Sequence, residues 1–278
     1  MINGLYLHLL LMLKKHGDYV VTRGAGVKSI FGFTFGAVGF PIISIRKTAW
    51  KTALRELEWF MSGEDTCPEG VLRDVWWKGQ LSPDFKLRQG YPAQLRRSYN
   101  SEGMFDQVAW LREEIKESPS SRRLCLTVWN PGTMAFLPSI NQNPMCPTPC
   151  HAIWNQFQVR DNQLHMNAMF RSTDAILGLP HNLVQHRALQ LYFAHHAGVP
   201  AASYYNLYLN DVHYYDHPDH NDFLSWVADN VDACLLMDDC EDNDLIYKPT
   251  DVEFKAEDFS LAEPLTEPPY IKKIARTL

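Results

Sequence analysis

Strand-like and helix-like segments follow one another along the chain without a regular strand–helix–strand beat, and that irregular order limits the fold most. Phe31, Phe33 and Phe35 alternate with Gly32, Thr34 and Gly36, the period of a strand. Trp50, Leu54, Leu57 and Met61 then recur at helical spacing over 48–61, and Gly63 stops the pattern. Residues 64–102 read as loop, 103–117 as a helix and 124–129 as a strand. Strands are expected over 151–159 and 163–170, turned by Asp161-Asn162. Pro180 opens a helix running to Ala197, closed by Gly198. Strand-like sequence from Ala202 to Tyr215, a helix over 219–237 and a strand over 244–254 complete the pattern. The expected fold is α+β, a three-layer arrangement of one large mixed β-sheet with flanking helices, in a single domain spanning 1–278.

Composition agrees with a folded globular chain and excludes several classes. The 278 residues are 46% hydrophobic and 21% charged, unlike disordered, collagenous or disulfide-framed chains. A net charge of −6 argues against a global nucleic-acid footprint. Cys67, Cys125, Cys146, Cys150, Cys234 and Cys240 form no CxxC, so reduced thiols in a cytoplasmic chain are expected. The apolar run from Leu5 to Leu13 is too short to span a membrane. Its charges, Lys14 and Lys15, follow it, whereas a signal peptide places them before. Residues 3–16 therefore read as a core-facing helix.

Three clusters suggest chemistry. Residues 131–149 hold five prolines and end at Pro149-Cys150-His151. A cysteine there is either an exposed nucleophile or an inert buried thiol. Arg171-Ser172-Thr173-Asp174 offers an arginine fork beside a hydroxyl, suited to a phosphate or simply exposed. Asn182 either caps the helix that begins near Pro180 or turns inward to read an amide edge. Trp76-Trp77 is either core or a platform for a planar ligand. His213, His217 and His220 have metal-ligand spacing only on a helix, and Pro218 interrupts them, so no metal is expected.

In order and spacing these segments resemble the thymidylate synthase family, which includes the phage deoxypyrimidine-monophosphate hydroxymethylases. The segments are Thr22-Arg23-Gly24-Ala25-Gly26, Glu56-Leu57-Glu58-Trp59-Phe60, Ser121-Arg122-Arg123, Pro149-Cys150-His151, Arg171 to Asp174, Leu177 to Asn182, and Asp211 to Tyr215. The resemblance runs from about 18 to 255. The resemblance implies that Cys150 adds to carbon 6 of a pyrimidine, making carbon 5 nucleophilic toward 5,10-methylenetetrahydrofolate. It implies phosphate contacts from Arg23, Arg171 and Ser172, and from Arg122 and Arg123 reaching the other subunit of an obligate homodimer. Asn182 matches the reader of the base, and its amide suits dUMP where an aspartate suits dCMP. Glu56 matches the organiser of proton transfer, Tyr91 a tyrosine beside the ring, and His151 the residue after the nucleophile. His213 and Tyr215 match the pair that holds the sugar hydroxyl. Asp174 falls where the family contacts the folate pterin or the active-site water network, Gly178 beside the folate, and Trp76 or Trp77 where the folate is met.

The shared intermediate then takes either a hydride, giving dTMP and dihydrofolate, or water, giving 5-hydroxymethyl-dUMP. Phe170 stands where a synthase has glutamine, and the loop around Val75-Trp76-Trp77-Lys78 is shortened. Glu58 replaces an apolar residue, and the tail from Lys272 to Leu278 is basic. These departures favour a dUMP hydroxymethylase. The alternatives are a thymidylate synthase, a dCMP hydroxymethylase, a non-catalytic nucleotide-binding relative, and, on Cys150 alone, a papain-like hydrolase.

Overall fold

The computed structural model describes residues 2–22, 25–43, 45–46, 48–100, 103–131 and 152–232. Among these residues the α-helices are α1 (Ile2–His16), α2 (Trp50–Ser62), α3 (Tyr91–Arg96), α4 (Gln107–Glu117), α5 (Leu179–Ala197) and α6 (Pro218–Asp229). The strands are β1 (Asp18–Thr22), β2 (Ala25–Val38), β3 (Ser98–Asn100), β4 (Gly103–Phe105), β5 (Cys125–Thr127), β6 (Ala152–Arg160), β7 (Gln163–Phe170), β8 (Thr173–Asp174) and β9 (Tyr204–Tyr215). A large mixed sheet runs β1-β2-β9-β7-β6-β5, with β8 added beside β9. β7 and β8 run parallel to β9, and the other neighbours are antiparallel. The fold is α+β, with helices flanking one mixed sheet.

Local sequence explains most boundaries. Gly63 and Gly198 adopt φ of 79° and 70°, the left-handed conformation that ends α2 and α5. Asp161 and Asn162 both take positive φ in the β6–β7 hairpin, as a tight primed turn requires. The expected helix over 103–117 is shorter than its pattern: residues 103–105 form β4 against β3. Asp106 then caps α4 by accepting from Ala109 N–H at 2.9 Å. The segment read as loop over 64–102 contains a π-helical turn (Leu72–Trp76), α3 and β3. The strand expected over 244–254, the loop over 132–149 and the basic tail lie outside the described residues.

The core lies between the inner sheet face, with Phe35, Phe157, Phe170 and Leu207, and helices α1 and α5, with α2 packed on α5. α5 is the crossover between parallel strands and is buried on almost all sides. Tyr205 of β9 donates to Leu183 O on it at 2.6 Å. On the opposite sheet face Tyr204, Tyr208 and Val38 are exposed, alternating with buried Tyr205, Leu207 and Ala37. Beneath the sheet's other end, Tyr6 of α1 donates to Ala175 O at 2.9 Å and so fastens the segment after β8. No helix among the described residues is long and apolar enough to cross a membrane.

Arg187 and Gln190 of α5 pair with each other and with backbone carbonyls. Arg187 Nη1 donates to two neutral acceptors, Gln190 Oε1 at 2.6 Å and Ala202 O at 2.7 Å. Gln190 Nε2 in turn donates to Leu164 O at 2.9 Å. Replacing Gln190 by Leu removes an acceptor from a buried cation as well as that donor. The expected cost is about 3 kcal/mol of stability, read by urea unfolding; a loss within experimental error would mean that this network is not stabilising.

Candidate active site

A cleft of about 820 Å³ opens where the ends of β7, β8 and β9 meet α2, α3, α5 and the π-helical turn. α2 turns an apolar face inward with Ala53, Leu54, Leu57 and Phe60. Glu56 stands at the edge of that face, in the cleft wall. Its Oε1 accepts from Trp77 Nε1–H at 2.5 Å and its Oε2 from Gln185 Nε2–H at 2.7 Å. Burial pushes the carboxyl up to about 7, while the two donors pull the other way by favouring its charged form. Trp77 is set by edge contacts with Trp59 and Phe60, and Tyr91 stacks on Phe60 at 4.3 Å.

α5 supplies a second wall. Gly178 precedes its first turn without a side-chain cap, so Asn182 is not the cap. It sits one turn inside, facing the cleft, with Nδ2 3.4 Å from Thr173 Oγ1. Asp174 Oδ1 accepts from the N–H groups of Ile176 and Leu177 at 2.8 and 2.7 Å. Its Oδ2 is buried without a partner among the described residues. A Cβ on Gly178 would stand 3.3 Å from Asp174 O, so glycine permits the close packing there.

His213 and Tyr215 reach the cleft from β9, their rings edge to face at 5.6 Å. Ser172 lies behind His213, with Oγ 3.4 Å from its Nδ1 and 3.4 Å from Asp211 Oδ2. Ser29 of β2 also donates to Asp211. Arg171 is partly buried between Phe170 and Ser172. Trp76 packs on His181 at 4.6 Å. His181 donates from Nδ1 to Leu177 O at 2.8 Å and accepts Ala49 N–H at Nε2, 3.2 Å away. It thereby ties the start of α2 to the start of α5 as a neutral imidazole.

The structure thus gathers Glu56, Tyr91, Trp76, Trp77, Asp174, Gly178, Asn182, His213 and Tyr215 around one cleft. Arg122 and Arg123 are elsewhere, exposed before β5, where Gln156 Nε2 donates to Arg122 O at 3.1 Å. Arg23, Cys150 and His151 lie outside the described residues. The two described free cysteines are not activated thiols: burial pushes Cys67 up to about 12 and raises Cys125. His213 points into the cleft, whereas His217 caps α6 and His220 bonds Tyr215 O. Among the described residues no three metal-ligating groups converge.

Sequence reasoning missed Arg46, His181, Gln185 and His186 as cleft residues. Gln185 and His186 were findable, since they fall three and four places after Asn182 on the same helix face. His186 donates from Nδ1 to Asn182 O at 2.8 Å and leans on Phe170 at 4.8 Å.

A family model described as thymidylate synthase matches residues 5–262 of this chain.

The buried groups make stability depend on pH. Burial lowers His186 to about 4; burial and the Arg46 charge do the same to His181, and burial and the Arg112 charge lower His196 to about 3. The unfolded chain therefore binds protons there that the folded one does not, between about pH 4 and 6.5. That contribution is complete above 6.5 and is lost on acidification. Glu56 acts with the opposite sign between about 4.5 and 7, because its folded form holds the proton longer. Three imidazoles against one carboxyl leave about two protons. Stability should rise by about 2.7 kcal/mol per pH unit from 4.5 to 6.5. Urea unfolding across that range checks it; a flat or falling curve would show that the imidazoles are not held neutral.

Proposed function

Because the chain belongs to the thymidylate synthase family, we propose that it converts dUMP to 5-hydroxymethyl-dUMP, leaving tetrahydrofolate unoxidised. At the family level it is a one-carbon transferase that carries the unit of 5,10-methylenetetrahydrofolate to carbon 5 of dUMP. The finer reading rests on Phe170, which stands in the cleft wall where a synthase has glutamine; in the same wall lies Glu56, shared by both kinds of enzyme, a carboxyl that burial pushes up to about 7. Such a group can take a proton from the water that adds to the exocyclic methylene of the pyrimidine. In a synthase a hydride fills that place, and thymidylate with dihydrofolate is the alternative product.

The residues fit both substrates. Asp174 Oδ2 and Arg46 Nη1 are buried polar atoms without partners among the described residues, a carboxylate and a guanidinium beside the cleft. They suit the N–H groups and the carboxylate of a folate, and Trp76 and Trp77 offer flat faces for its rings. When bound, methylenetetrahydrofolate supplies the one-carbon unit. Cys150 supplies the nucleophile that adds to carbon 6, with His151 beside it. Asn182 reads the base edge, Tyr91 flanks the ring, and His213 with Tyr215 holds the sugar hydroxyl. Arg23, Arg171 and Ser172 take the phosphate, joined by Arg122 and Arg123 of the partner subunit. Gly178 allows the folate wall to close on Asp174.

The homodimer has a surface to form on. The sheet face turned away from the cleft exposes Tyr204, Tyr208 and Val38, and Asn206 bonds Asn167 across its centre at 3.0 Å. Two such faces would pack together, with the exposed Arg122 and Arg123 reaching the partner's cleft as the resemblance implies. We take the whole chain as one catalytic domain acting in the cytoplasm.

One reaction tests the function. With dUMP and methylenetetrahydrofolate, mass spectrometry should find hydroxymethyl-dUMP and absorbance no dihydrofolate. Thymidylate with stoichiometric dihydrofolate would establish the synthase instead. Cys150→Ser should abolish either product while nucleotide binding survives; near-normal turnover would remove Cys150 from the mechanism. Asn182→Asp should shift preference toward dCMP by tenfold or more, and an unchanged preference would place base reading elsewhere.

A further inference from the structure

Gln185 is 6% exposed and lies on α5, three residues after Asn182. Its Nε2 makes two hydrogen bonds, to Glu56 Oε2 at 2.7 Å and to Ala53 O at 3.0 Å. Both acceptors belong to α2, one turn apart. A carbonyl accepts only, so the amide cannot flip without setting its own oxygen against Ala53 O and the carboxylate. Its orientation is therefore fixed by the network. Trp77 Nε1, which only donates, engages the other carboxylate oxygen.

We propose that Gln185 is the positioning residue for Glu56, committing one lone pair of its carboxylate so that proton exchange runs through the side facing the cleft. The proposal rests on the role in proton transfer assigned to Glu56 above. It adds a coupling: Asn182 and Gln185 share one rigid stretch of helix, so the base and the carboxylate are set relative to each other. Other titratable groups around Glu56 do not substitute for this donor. Cys67, from the loop after α2, feels the Glu56 charge and is held protonated, with Arg73 of the π-helical turn beyond it. Tyr91 of α3 stands across Trp77, with ring centres 6.5 Å apart. His181 and His186 on α5 are neutral, each donating from Nδ1 to a backbone carbonyl. Arg46 and His213 reach the same cleft from the segment before α2 and from β9.

The test compares Gln185→Leu and Gln185→Met, similar in length and without a donor, with the wild-type chain. Carboxyl-carbon NMR of glutamate-labelled protein reads the Glu56 titration directly, the resonance being identified by its loss in Glu56→Gln. Either variant should raise the midpoint by about one pH unit or more, the effect of losing a charge-assisted hydrogen bond. Release of tritium from carbon 5 of dUMP reads turnover whichever product forms. Its acid limb should move to higher pH by the same amount, with about tenfold lower kcat near pH 6 and KM for dUMP within twofold. Adding Gln185→Leu to Glu56→Gln should change the profile no further. An unmoved Glu56 midpoint in the folded variant, or a kcat loss uniform with pH, would overturn the proposal. A midpoint that moves while the turnover profile stays put would support the hold on the carboxylate and overturn the role of Glu56 in proton transfer. Should the leucine variant fail to fold, the methionine variant carries the same measurements.

Discussion

Helix α5 is buried along most of its length, so each polar side chain on it must be paired inside the protein or turned toward the cleft. This constraint organises the neighbourhood. Around its midpoint Arg187 donates to Gln190 Oε1 and to Ala202 O, and Gln190 donates to Leu164 O beside β7. Nearer its start Asn182, Gln185 and His186 face the cleft. The same helix is therefore both the crossover of the sheet and the wall of the site. Its position depends on the burial of Leu183, Ala188 and Phe193, which are apolar and carry no chemistry.

The cleft divides its polar groups into two kinds. Glu56 and His181 have their atoms engaged by protein partners and are held in one geometry. Asp174 and Arg46 each keep a buried atom without a partner among the described residues. An unmade hydrogen bond of that kind is costly, and a ligand that completes it recovers that cost on binding. Paired groups serve chemistry through fixed placement, and the unsatisfied ones serve recognition.

Much of this was legible from short patterns. Gly63 and Gly198 ended their helices where the backbone needs a left-handed residue, and Asp161-Asn162 marked its turn. The cleft grouping of Glu56, Asn182, Asp174 and His213 followed from motif order, although their roles did not follow from spacing. What stayed hidden had weak local signals. β1 is exposed throughout, so its edge carries no inward alternation to betray a strand. Met104 and Phe105 extend the apolar pattern of α4 backwards, and only the Asp106 cap separates them from it. Gln185 looks like any helical glutamine until α2 is laid against α5, and that adjacency is tertiary.

The bond from Tyr6 to Ala175 joins residues 169 apart in sequence, and its consequence concerns synthesis on the ribosome. Helix α1 finds no acceptor there for its Tyr6 hydroxyl until the segment after β8 has been made. β2 can form its hairpin with β1 early, but its other neighbour is β9, the last described strand. The nascent chain must therefore carry one open edge of β2 until nearly all of the sheet has left the tunnel. A topology built on such distant pairings folds slowly, and during that interval the unpaired edge is the surface most in need of protection from other chains.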